Sequence, residues 1–174
     1  MSQAKRLNAK GTIGLEILEQ FPSVDNVFIS MGGGGLISGI GSVLKAFSPK
    51  VKVFGASANA SRALAASMQA GEVVETEYLP TLAEAVAGGI DEDTITLPLA
   101  VQVVDEVVDC DEDGIKHSLR ALALEENMLM EGSSALALAA YKKVEEKVHG
   151  QVNIVVLCDA NFDGDTIVQE IFGR

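Results

Sequence analysis

Apolar residues along the chain alternate between two spacings. Ile13, Ile17 and Leu18 share one face of a helical wheel, which predicts a helix over residues 11–20 that Pro22 stops. Val27, Phe28 and Ile29 form a short unbroken apolar run and predict a buried strand. Helical spacing returns with Ile37, Ile40, Val43, Leu44 and Phe47, giving a helix over 36–47 before the Ser48-Pro49 break. A strand over 51–54 and a helix over 61–70, closed by Gly71, come next. Residues 72–89 show no clear period. Beyond them the pattern predicts a helix over 95–103 with Pro98 in its first turn, a strand at Val107-Val108, and a helix from 111 to about 126. Asp111, Glu112 and Asp113 put negative charge at the start of that helix, where the backbone dipole favours it. A helix over 133–147, a strand over 153–157 and a last helical stretch over 167–172 complete the series.

Strands that alternate with helices of roughly ten or more residues mean βαβ units and a parallel sheet. The strands are apolar on both faces, as a sheet covered by helices on both sides requires. The expected fold class is therefore α/β, a three-layer αβα domain. No repeat, linker or low-complexity segment divides residues 1–174, which read as one domain.

Composition narrows the function classes. Of the 174 residues, 48% are hydrophobic and 22% charged, so the chain can bury a core and is not disordered in character. A formal net charge of −12 repels phosphate backbones and argues against a nucleic-acid partner. No apolar run approaches the roughly 20 residues that span a bilayer, and no signal-peptide pattern is visible. Cys110 and Cys158 lie far apart and form no metal-ligand pair, so a reducing, cytoplasmic setting without disulfides is expected. His117 and His149 are the two histidines, and no histidine metal site is expected of them. Asp105, Glu106, Asp109, Asp111, Glu112 and Asp113 either attract a cation or form a solvated acidic edge, and runs of charge usually do the latter.

The sharpest local signal is Ser30-Met31-Gly32-Gly33-Gly34-Gly35-Leu36, between a predicted strand and a predicted helix. Four glycines in a row remove every Cβ, so the backbone can wrap an anion with its N–H groups turned inward. The helix that follows adds a positive dipole end. The order suits a phosphate, yet the loop lacks the Gly-Lys-Ser/Thr ending of a nucleotide phosphate loop and the spacing of a dinucleotide fingerprint. The alternative is a tight turn without a ligand.

The loop has ordered company. Gly11-Thr12-Ile13-Gly14-Leu15-Glu16-Ile17-Leu18 precedes it and Leu36-Ile37-Ser38-Gly39-Ile40 follows. Thr81-Leu82-Ala83-Glu84-Ala85, Glu131-Gly132-Ser133-Ser134-Ala135 and Leu157-Cys158-Asp159-Ala160-Asn161 come later. In this order the motifs resemble the fold-type II pyridoxal-phosphate enzymes of the threonine/serine dehydratase and serine racemase branch, over their C-terminal half. The resemblance implies the large-domain portion of the tryptophan synthase β-like fold, truncated at the N-terminus, and pyridoxal 5'-phosphate as cofactor. It implies that Gly32, Gly33, Gly34, Gly35 and the Leu36 backbone cradle the cofactor phosphate. By the same carry-over Cys158 sits against the pyridine nitrogen, with Glu131 and Asn161 near that end of the ring. Read without the family, Cys158 is an ordinary buried cysteine at a strand end and Glu131 a carboxylate at a helix start.

Several positions depart from the family pattern. Asp159 and Ala160 stand where the family has paired glycines, and Glu84-Ala85 replaces Asp-Gly. Gly55-Ala56-Ser57-Ala58 has Ser57 where relatives carry a metal-holding glutamate, so no metal is expected. The family's cofactor-bearing lysine lies in a Ser-x-Lys-x-Arg motif of the N-terminal half, which these 174 residues do not contain. Ser48-Pro49-Lys50-Val51-Lys52 imitates it superficially and reads as a solvated turn. Lys10, before Gly11-Thr12, is the one lysine near the expected cleft. These readings imply a cofactor-phosphate-binding half that is inactive alone, self-associates as a homo-oligomer, most simply a dimer, and accepts a complementing N-terminal half. The competing reading is a non-enzymatic module for some other phosphorylated ligand.

Overall fold

The structure is a computed structural model and describes residues 3–173. Four strands, β1 (Asn26–Ser30), β2 (Lys52–Ala58), β3 (Glu106–Cys110) and β4 (Asn153–Val155), form one sheet in the order β3-β2-β1-β4. All three pairings are parallel. The helices are α1 (Gln3–Gln20), α2 (Gly35–Phe47), α3 (Ala63–Ala70), α4 (Thr96–Val103), α5 (Glu112–Leu124), α6 (Gly132–Val144) and α7 (Gly164–Phe172). No helix among the described residues is long and apolar enough to cross a membrane.

Side-chain alternation along the strands divides the core into two halves. Val27, Ile29 and Val53 point to one face and pack with Ile37, Ile40 and Leu44 of α2, Leu64 of α3 and Ala100 of α4. Phe28, Phe54, Ala56 and Ala58 point to the other face, under Ile115 and Leu119 of α5 and Leu136 and Ala140 of α6. Phe28 stacks on its register partner Phe54 with ring centroids 4.6 Å apart, and Tyr141 of α6 meets Phe28 edge-on at 5.4 Å. Each such buried side chain contributes about 1.5–3 kcal/mol of transfer free energy. The layers are helix, parallel sheet and helix, as the alternation of spacings requires.

Several elements run longer than the apolar pattern predicts, and three of them do so for reasons visible in the structure. α1 begins near Gln3 and not at Gly11. Gly11 and Gly14 lie inside it, where α1 crosses α2 closely. A Cβ on Gly14 would come 3.0 Å from the Ile40 carbonyl oxygen, and one on Gly39 2.8 Å from the Leu7 carbonyl oxygen. β2 continues through Gly55-Ala56-Ser57-Ala58, which the sequence suggested lay beyond the strand. These residues are buried, and a Cβ at Gly55 would overlap the Met31 thioether. α7 starts three residues before the predicted stretch, at Gly164, because the Asp163 side chain accepts the Thr166 N–H (2.9 Å) and caps it.

The acidic run is only partly solvated: Asp105, Asp111 and Asp113 are exposed, and Glu106, Asp109 and Glu112 are half-buried. Asp105 Oδ2 accepts from Lys45 Nζ (2.6 Å) and from the Val53 N–H (2.7 Å). Asp109 takes two bonds from the Arg62 guanidinium (2.9 and 2.7 Å), and Glu106 pairs with Lys147. Asp111 caps α5 by accepting the Gly114 N–H (2.8 Å), and Glu112 accepts the Leu82 N–H (2.8 Å). Asp105, Glu106 and Asp109 thus tie Lys45, Lys147 and Arg62 to the sheet edge, while Asp111 and Glu112 hold the start of α5 and the loop at Leu82, which a count of charges cannot foresee.

Candidate functional site

β1 lies between β2 and β4, so the connections leaving the sheet diverge on either side of it. In an open parallel sheet this switch point leaves a crevice beyond the carboxyl ends of the strands, the usual place for a ligand. Here the end of β1 runs into the four glycines and the end of β4 into Leu157-Cys158-Asp159. Between them lies a cleft of about 420 Å³, lined by Gly32 to Gly35, Leu36, Ser30, Cys158, Asp159 and Glu131. Lys10 of α1 and Val86 of the 72–89 segment close its sides. That volume suits a small cofactor.

The loop is rigid where it meets the protein and open where it meets the cleft. Gly34 has φ +79°, a left-handed conformation that glycine adopts freely. A Cβ there would sit 2.9 Å from Thr96 Cβ and Oγ1 and 3.1 Å from Leu64 Cδ2. Thr96 Oγ1 donates to the Gly33 carbonyl (2.7 Å), and Ser38 Oγ donates to the Thr96 carbonyl (3.2 Å). By contrast a Cβ on Gly33 or Gly35 would meet nothing within 4 Å. The helical ladder begins with the Ser38 N–H on the Gly34 carbonyl (2.9 Å). The N–H groups just before it are the donors every helix start leaves over, beside the positive dipole end. Open space, surplus donors and positive potential coincide, which is the donor set a phosphate monoester needs.

The opposite end carries a thiol and two carboxylates. Cys158 Sγ lies 3.8 Å from Ser30 Oγ and 3.8 Å from Ser134 Oγ. Ser134 spends its proton on the Asp159 carbonyl (2.7 Å) and accepts the Asp159 N–H (2.9 Å), so this serine staples α6 to the Cys158-Asp159 turn. Glu131 precedes α6 and is only 6% exposed. Burial and then the charge of Asp159 push its carboxyl above the ordinary carboxylate range. The Asn161 N–H and the Ser133 hydroxyl pull the other way. Gly132 is required beside it, because any Cβ there would overlap the Leu82 carbonyl of the Thr81–Ala85 segment.

Of the residues singled out from the sequence, Gly32 to Gly35, Leu36, Cys158 and Glu131 meet in one cleft. Asn161 does not line it. It sits behind Glu131 in an adjoining hollow with Gly132, Ser133 and Phe162. Sequence reasoning missed Thr96, Ser30 and Ser134, since a hydroxyl reveals its role only when folding brings it to the loop or the turn. Lys50 lies on an exposed turn after α2. Ser57 is buried in β2, opposite Asp109 of β3. A larger hollow of about 640 Å³ opens between α5 and α6, lined by Cys110, His117, Ala139 and Lys143 among others. It lies away from the switch point. Burial there pushes the Cys110 thiol up to about 11, so it is no nucleophile at neutral pH.

Comparison with known proteins agrees with this geometry. The family model described as pyridoxal-phosphate dependent enzyme matches residues 2–159. The catabolic L-threonine dehydratase of Escherichia coli K12 is 33% identical over 170 residues, covering 95% of this chain and 50% of that protein. The L-threonine ammonia-lyase of Geobacter sulfurreducens is 34% identical over 161 residues, covering 91% of this chain and 39% of the relative. Among solved structures, maize serine racemase superposes with a TM-score of 0.84 at 27% identity, over 96% of this chain and 52% of the racemase. The chain thus spans about half the length, or less, of these relatives. Pyridoxal phosphate is the cofactor of the family, and the donor set of the cleft fits it. With the family model spanning most of its length and the fold in agreement, the chain belongs to the pyridoxal-phosphate dependent enzyme family.

Proposed function

We propose that this chain supplies the cofactor-phosphate-binding half of a threonine/serine ammonia-lyase. The observation that carries the reading is the polarity of one cleft, with the anion-binding glycine loop at one end and the Cys158 thiol at the other. The N–H groups of Gly32 to Gly35 and Leu36 would hold the phosphate of pyridoxal 5'-phosphate, and Cys158 would offer its thiol to the ring nitrogen. Glu131 flanks the ring, and Asn161 acts behind it by giving its backbone N–H to the Glu131 carboxylate. When bound, the cofactor supplies the electron sink for breaking bonds at the substrate α-carbon. The protein's own contribution is orientation: Thr96 and Ser38 fix the loop, Ser134 fixes the Cys158 turn, and Val86 covers one side. Residues 1–174 read as one domain. In this reading a lysine supplied by an N-terminal half completes the site. The free thiols Cys110 and Cys158 support a cytoplasmic setting.

The test is to mix the chain with the lysine-bearing N-terminal half of the E. coli dehydratase and measure 2-oxo acid release from L-threonine and L-serine. Release from the mixture alone supports the reading. Release by the isolated chain, or none from the mixture when both halves are folded, overturns it.

A further inference from the structure

Asp159 follows Cys158 directly and lines the same cleft, where the family pattern has a glycine. Ser134 holds its backbone through both the N–H (2.9 Å) and the carbonyl (2.7 Å). Its Oδ1 accepts the Ala160 N–H (2.8 Å), which keeps the carboxylate at the turn. It lines the cleft together with Glu131, and its charge is one of the causes that raise the Glu131 carboxyl.

We propose that Asp159 turns the thiol end of the cleft into a receptor for a protonated ring nitrogen, so that a pyridine-type ligand anchored by its phosphate keeps its ring proton. The proposal rests on the cofactor placement above and specifies its electrostatics. A neutral thiol can only share a hydrogen bond with a ring nitrogen and does not hold a charge there. A carboxylate within about 4–6 Å of a base stabilises the protonated form. Several charged groups face the ring position or stand just behind it. Lys10 of α1 is the cationic side chain lining the cleft, and Glu131 at the start of α6 is a second acid. Glu84 and Asp163 stand with Glu131 in the adjoining hollow. Asp159 is the exposed carboxylate of the cleft and Glu131 the buried one. A ring that keeps its proton withdraws electrons more strongly, and this favours α-proton exchange alongside loss of a β-hydroxyl.

The probe is pyridoxamine 5'-phosphate labelled with nitrogen-15 in the ring, which has no aldehyde and so needs no lysine. Its ring-nitrogen resonance is followed against pH on the wild-type chain, D159N, D159G, C158S and G33A. The expected result is a protonation midpoint at least about one unit lower in D159N and D159G than in wild type, with C158S close to wild type. D159G restores the family's residue and guards against a folding defect peculiar to the amide. Equal midpoints, with binding that weakens in G33A, overturn the role of Asp159 and leave the cofactor placement standing. Absence of binding, or binding indifferent to G33A, overturns both.

Discussion

Gly33 and Gly34 are neighbours in one loop, yet alanine at the two positions should act with opposite sign on stability. At Gly34 the backbone is left-handed, which costs an L-residue about 1–2 kcal/mol. The new methyl also lands 2.9 Å from Thr96 Cβ and Oγ1 and 3.1 Å from Leu64 Cδ2. Overpacking of this kind costs about 1–3 kcal/mol. Alanine stiffens the unfolded chain and returns about 0.4–1 kcal/mol. The net expectation for G34A is a loss of about 1–4.6 kcal/mol, or roughly 2–18 °C in Tm for a chain of this size. At Gly33 φ is not left-handed and a Cβ meets nothing within 4 Å, so only the unfolded-state term remains. G33A should therefore be neutral or gain up to about 1 kcal/mol, while its methyl crowds the anion and weakens phosphate binding at least about tenfold. Urea denaturation followed by circular dichroism gives the stabilities, and fluorescence titration with pyridoxamine 5'-phosphate gives the affinities. A G34A loss below about 0.5 kcal/mol, or a G33A loss as large as that of G34A, would refute the division between packed and open glycines.

Three further outcomes follow from the site and the surface. The Glu131 carboxyl is raised in the folded chain, so its own contribution to stability is fullest below the ordinary carboxylate pKa of 4.5 and is lost as pH rises through the raised value. E131Q lacks that loss, and its Tm advantage over wild type should grow from pH 4 to pH 8; an advantage that shrinks over this range contradicts the burial argument. Cys158 is exposed and Cys110 buried, so a maleimide should label Cys158 in the native chain and be slowed there by pyridoxamine 5'-phosphate, with Cys110 reacting only on unfolding; mass mapping that finds Cys110 labelled first refutes this. Tyr78, Leu79 and Leu129 are 62, 65 and 55% exposed, and covering such side chains is what pairing would gain, so the chain should form a homodimer; a clean monomer by light scattering at high concentration contradicts it.

The order of strands and helices could be read from spacing because burial on two faces leaves a strong signature. Val27-Phe28-Ile29 and the helical run from Ile37 to Phe47 are examples. Ends were harder. Gly55 lets β2 continue because only a residue without a Cβ fits against Met31, a contact that no local pattern encodes. Gly11 looked like a helix start and is instead a crossing point with α2. At the site, the four glycines and the Cys158 turn stood out through their motifs, and the fold brings both to one switch point. Thr96 sits 63 residues from Gly33, and Ser134 sits 24 from Cys158. Roles held by such distant hydroxyls are set by tertiary packing and leave no mark in the local sequence.

The central claim is that the loop holds a phosphate, and calorimetry on the isolated chain with pyridoxamine 5'-phosphate and with pyridoxamine tests it most directly. Two charge-assisted hydrogen bonds of about 1.5 kcal/mol each from the loop N–H groups already amount to about a hundredfold in affinity. The account predicts one phosphate-dependent site per chain, with pyridoxamine at least about a hundredfold weaker and inorganic sulfate competing. Equal binding of the two amines, or no binding of the phosphorylated one, would contradict it.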